Sequence, residues 1–124
     1  MSPLPTTVRH GVRVLVLPAE GPSLAGEADA VEVLGHAFAQ RADVVAVPVA
    51  RLHRDFFRLA SGTAGAVVQK FVTYGVRLVV VGPLDHHGPP TGPVAEWVRE
   101  ANCGRELWFV ADSAELDDRL AALR

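Results

Sequence analysis

Three short stretches carry residue types that do chemistry. Asp85-His86-His87-Gly88 sets two imidazoles beside a carboxylate. Such a group can bind a divalent metal or move protons near neutral pH. Adjacent histidines in an extended chain point to opposite faces, so a shared metal needs a sharp turn or a third ligand such as His53. A polar loop rich in Gly and Pro is the plainer account, and neither a metal nor a cofactor is expected. His53-Arg54-Asp55-Phe56-Phe57 places a carboxylate two residues after an imidazole. Asp55 could orient His53, and an oriented imidazole is a usable general base. The alternative is an Asp cap beside two core phenylalanines. Ser61-Gly62-Thr63-Ala64-Gly65 puts hydroxyls and small residues at a helix entrance. The first N–H groups of a helix lack partners there and, with the helix dipole, attract anions. Ser61 or Thr63 could equally be an ordinary cap, and the spacing of a P-loop is absent.

Arg51, Arg54 and Arg58 add positive charge near that entrance and read as a solvated face. Glu100 and Asn102 close a helical stretch as polar surface or as a C-terminal lock. Cys103 has no recognisable nucleophile pattern around it and reads as a packed thiol. Trp97 and Trp108 fall at core-facing positions.

The elements that must position these groups follow from apolar spacing. Residues 8–17 read as a hairpin turning at His10-Gly11, since Gly accepts the positive φ of a tight turn. Residues 27–40 have helical period, with Ala30, Val31, Leu34 and Phe38 as the apolar stripe. Residues 44–49 form a β-branched strand that Pro48 ends or places at an edge. Residues 64–74 make a second helix with Val67, Val68, Phe71 and Val72 inward, stopped by Gly75. Residues 77–81 are the most apolar strand and belong in the sheet interior. Pro93 opens a third helix, with Val94, Trp97, Val98 and Ala101 as its stripe. Residues 107–110 are the last strand, and Asp112-Ser113-Ala114-Glu115 has the form of a capping box before a final helix carrying Leu116, Leu120 and Leu123. The expected fold is a single α/β domain over residues 1–124, with residues 1–7 as a flexible lead. An N-terminal hairpin is followed by alternating βα units, giving a mostly parallel five-stranded sheet with about four helices.

The chain has 124 residues, 49 % hydrophobic and 21 % charged, enough for one buried core and unlike a disordered tail. A net charge of −2 gives no footprint for nucleic acid or anionic membrane, so neither is an expected partner. One cysteine excludes an internal disulfide and a cysteine zinc cage. No apolar run is long enough to span a bilayer, and the first residues lack the pattern of a secretory signal. A cytoplasmic location is the expectation.

The element order resembles the STAS fold of sulfate transporters and anti-sigma-factor antagonists. Ser61-Gly62-Thr63 opening a helix, and Val79-Val80-Val81-Gly82 ending a strand, carry that likeness, with Leu59-Ala60 standing where the family has an acidic residue and a serine. Over nearly its whole length the chain is similar to DUF4180, an uncharacterised bacterial domain family. The residues that carry this are Leu52 to Leu59, Gly62 to Gly65, Gln69 to Tyr74, Trp97 to Gly104 and Leu107 to Val110. That resemblance implies no established activity.

The functional expectation is a small regulatory or interaction module with STAS-like architecture. It would bind a protein partner or small anionic ligand at the second helix's N-terminus, through Asp55, Ser61, Gly62, Thr63, Gly65, Asp85 and His87. Phosphorylation of Ser61 or Thr63 would remodel that surface. A rival is a small acid–base enzyme with His53, Asp55 and His86 as catalytic candidates, assisted by Asp85. A third is a structural subunit, as a homodimer or larger oligomer, whose hairpin edge extends a partner's sheet.

Overall fold

The computed structural model describes residues 6–84 and 92–123. Five strands, β1 (Thr6–Arg9), β2 (Val12–Val16), β3 (Val44–Pro48), β4 (Arg77–Val81) and β5 (Leu107–Val110), lie side by side in sequence order. Helices α1 (Glu27–Ala39), α2 (Thr63–Thr73) and α3 (Gly92–Cys103) connect the parallel strands, and α4 (Ser113–Ala121) follows β5.

The sheet is mixed, which corrects the expectation of a mostly parallel one: β1 and β2 run antiparallel, and β2 through β5 pair in parallel. The cause is local. His10 and Gly11 have φ of 51° and 80°, the two left-handed residues of a two-residue hairpin turn. A link that short joins only antiparallel neighbours. Pairing begins at Thr6, opposite Leu15, two residues before the expected start.

Alternation along the strands splits the core. Leu15, Val45, Val47, Leu78, Val80, Leu107 and Phe109 face α1, α2 and α3. Val14, Val44, Ala46, Val79, Trp108 and Val110 face Leu116 and Leu120 of α4. Burial on both faces explains why β3, β4 and β5 read as unbroken apolar runs. Right-handed crossovers in an order that never reverses place the three connecting helices on one side. The sheet therefore lacks the strand-order reversal that opens a ligand crevice in doubly wound folds.

On α1 the expected stripe is rotated. Ala30, Val33, Leu34 and Ala37 are buried, while Val31 and Phe38 are 48 % and 52 % exposed. The buried set has the i, i+3, i+4, i+7 spacing, which outranks side-chain size. Phe38 instead meets Tyr74 edge-on, with ring centroids 5.5 Å apart. Lys70 on α2 lies 2.9 Å from Glu27 on α1, and that hydrogen bond and charge raise its ammonium above the ordinary lysine range.

The C-terminal end of α3 is locked by groups distant in sequence. Asn102 Oδ1 accepts the Phe109 N–H at 2.7 Å, closing a donor on the outer side of edge strand β5. Asn102→Ala leaves that donor without an acceptor and is expected to cost about 1–3 kcal/mol, read from urea denaturation.

Candidate functional site

The segment that leaves the carboxyl end of β3 carries His53, Asp55, Ser61, Gly62, Thr63 and Gly65. After β3 the chain makes three 3-10 turns, Val49–Arg51, Arg54–Phe57 and Leu59–Ser61, and enters α2. Leu24, before α1, is tied to this segment. Its N–H donates to Arg51 O at 2.7 Å, and its carbonyl accepts the His53 N–H at 3.2 Å. Phe56 is fully buried against Trp97 and Phe57, which fixes the turns to the core.

His53 and Asp55 are adjacent, and the imidazole nitrogen nearest the carboxylate is engaged by the backbone. His53 Nδ1 accepts the Asp55 backbone N–H at 3.1 Å, so the histidine is the cap of its turn. The neutral ring then carries its proton on Nε2, the nitrogen facing away from that bond. A base acting through Nε2 needs the opposite tautomer, with Nδ1–H given to Asp55. The Asp55 carboxylate is 3.6 Å from Nδ1 and 3.6 Å from Arg58, on a partly exposed surface.

Ser61 closes the approach to α2. Its Oγ lies 2.7 Å from both the Asp55 and Arg58 carbonyls, and its single proton serves one at a time. The same oxygen accepts the Thr63 N–H at 3.2 Å. Gly62 follows with φ 77°, and no side chain caps the helix at that position. A phosphate on Ser61 would set negative charge against two carbonyl oxygens, so the turn must open for the hydroxyl to be modified. Ser61→Ala is expected to cost about 1 kcal/mol in a denaturant titration, the scale of a lost N-terminal cap.

Gly65 does not serve close packing, because a Cβ there would meet nothing within 4 Å. It borders a hollow of about 400 Å³ lined by Leu59, Ala64, Val68, Val72 and Trp97. A second hollow of about 450 Å³ shares Val68, Trp97 and Glu106 and runs to Ala101 and Leu107. Together they form a trough between α2 and α3. It stays open because α3 sends no fully buried residue inward among those described; Trp97, Val98 and Ala101 are half-buried.

Asp85, His86 and His87 lie outside the described residues. Among the described residues, no group of three or more His, Cys, Asp or Glu is placed to hold a metal ion. No described helix is long and apolar enough to cross a membrane. Cys103 is an exposed free thiol, not a packed one.

Arg51 overturns its reading as solvated charge. It is 9 % exposed and is the buried charged side chain among the described residues. Its Nε donates to Pro22 O at 2.9 Å, and Nη1 to Pro18 O at 3.0 Å and Glu20 O at 3.3 Å. A run of three arginines at spacing 3 and 4 gives no sign that the first is inside.

No curated protein and no solved structure matches the chain. A family model matches residues 9–120. The chain belongs to DUF4180, a domain of unknown function.

Proposed function

We propose that this chain is a recognition module that holds a protein partner across the entrance of α2 and along the trough between α2 and α3. The supporting observation is the trough itself. Leu59, Val68, Val72 and Trp97 line an open, partly apolar hollow beside the helix entrance, and concave apolar hollows with a few polar groups are where binding partners seat side chains. Gly65 in a helix costs about 0.5–1 kcal/mol against Ala and has no packing need here. Its absent side chain leaves room for a partner's. The partner chemistry is an apolar side chain flanked by polar groups that meet Gln69 and Glu106 on the rim. A STAS-like regulatory role belongs to this proposal.

A small anion at the same entrance has less support, because Ser61 Oγ already takes the Thr63 N–H. The acid–base reading is weaker for the same kind of reason, since the His53 lone pair at Nδ1 is engaged.

The test compares wild type with Gly65→Leu, on the exposed side of α2, and Val68→Asp, at a half-buried position that lines the trough and touches the core. Each variant must first match the wild-type circular dichroism and melting. Affinity capture from the source cells, followed by direct binding of the purified captured protein, should show at least a tenfold loss in both variants. Equal binding by all three proteins rejects this face.

A further inference from the structure

We propose that the cavity between the β2–α1 loop and α1 is a binding site for a compact zwitterion of the free α-amino acid type, with Arg51 holding its carboxylate. The cavity has a volume of about 230 Å³ and is lined by Arg51, Ser23, Leu24, Asp29, Glu32 and His36, among others. It is smaller than the roughly 300–1,000 Å³ of pockets for drug-sized ligands, which restricts it to molecules of a few heavy atoms.

The cation in it is incompletely answered. Arg51 is more than nine-tenths buried, yet no described carboxylate lies within ion-pair distance of its guanidinium. Buried charge of this kind is costly without a counter-charge. Nε and Nη1 are spent on the loop carbonyls of Pro18, Glu20 and Pro22. Nη2 makes no hydrogen bond with the described residues, and it is not among the fully buried unsatisfied atoms, so it reaches solvent. The single Nη2 amino group, on a guanidinium held by three other bonds, is placed to donate to an oxygen anion.

The wall decides what the rest of the ligand must be. Asp29 uses Oδ2 to accept the Ala25 N–H at 2.9 Å. Glu32 is exposed and enters no ion pair or hydrogen bond with the described residues. A simple anion would meet two carboxylates on α1, and a simple cation would meet Arg51. A molecule carrying both signs satisfies both walls, with its ammonium toward Glu32 and Asp29. This site is separate from the trough between α2 and α3 and stands or falls independently of it.

Isothermal titration with individual free amino acids as probes tests the assignment, with acetate and methylammonium chloride as half-ligand controls. At least one amino acid should bind saturably, and neither half-ligand should reach a tenth of its affinity. Arg51→Ala removes the loop clamp and risks unfolding, so Glu32→Gln is the deciding variant. It touches no internal contact and should weaken binding about tenfold while leaving the melting temperature unchanged. The proposal is overturned if no amino acid binds, if acetate binds as tightly as the best of them, or if Glu32→Gln binds like wild type.

Discussion

Trp108→Ala is expected to lower unfolding free energy by about 3–5 kcal/mol, the range for losing a large buried aromatic. Trp108 is 3 % exposed on the α4 side of the sheet, packed with Val79, Leu116 and Leu120. Its indole N–H donates to Gly104 O at 2.8 Å. The Arg77 and Arg119 guanidinium carbons stand 4.4 Å and 4.3 Å from its ring. Those guanidinium groups in turn donate to Arg105 O and Asn102 O, at the end of α3. The ring is therefore a spacer between two cations that also satisfies a carbonyl beyond the helix. Burial, then Arg105 and Arg119, push the Arg77 guanidinium below its usual range, so the cluster already carries like-charge strain. Removing the ring adds a cavity to that strain. Arg119→Ala, by contrast, should cost about 1–2 kcal/mol, because it removes one cation–π contact and one hydrogen bond to Asn102 O but relieves repulsion with Arg77. Guanidinium denaturation with unchanged m-values checks both. A Trp108→Ala loss no larger than that of Arg119→Ala would falsify the account of the ring as core.

The burial of Trp108 was legible in the sequence, and the two arginines on it were not. A β-strand of Leu107-Trp108-Phe109-Val110 buried on both faces has little freedom in where its Trp goes. Arg77 and Arg119 come from other elements, 31 and 11 residues away in the chain, and no spacing rule ties them to the ring. The same division holds elsewhere. The hairpin turn and the Asp112 cap rest on local chemistry, and both are present: Asp112 accepts the Glu115 N–H at 2.9 Å, and Glu115 reaches back to the Ala111 N–H. The α1 stripe was misread because Phe38 and Val31 are large and apolar, whereas the sheet accepts the smaller set at the right angular phase. At the candidate site, the order of elements was enough to bring His53, Ser61 and the α2 entrance to one rim. It could not reveal that His53 spends Nδ1 on a backbone donor, nor that α2 and α3 stand apart. Both depend on turns whose geometry is set by Phe56 and Leu24 packing underneath them.

Gly21→Ala is expected to cost about 3–5 kcal/mol, although it adds one methyl group in an exposed loop. Two effects combine. Gly21 has φ of 135°, a conformation nearly closed to L side chains, and such strain costs about 1–3 kcal/mol. A Cβ there would also lie 3.0–3.2 Å from the Arg51 guanidinium carbon and its two amino nitrogens. That group cannot yield cheaply, because it holds three loop carbonyls, and hydrogen bonds to a charged group are worth about 1.5–3 kcal/mol each. The two effects separate in a double-mutant cycle with Arg51→Ala. Without the guanidinium the steric conflict vanishes, and the Gly21→Ala cost should fall to the backbone strain alone. A coupling energy of at least 1 kcal/mol, of the sign that makes the double variant more stable than the sum of the singles, is the expected result. Additive losses would mean that Gly21 answers only to its own φ. The guanidinium would then yield to the added methyl, and a rigidly held Nη2 donor on Arg51 would lose its physical basis.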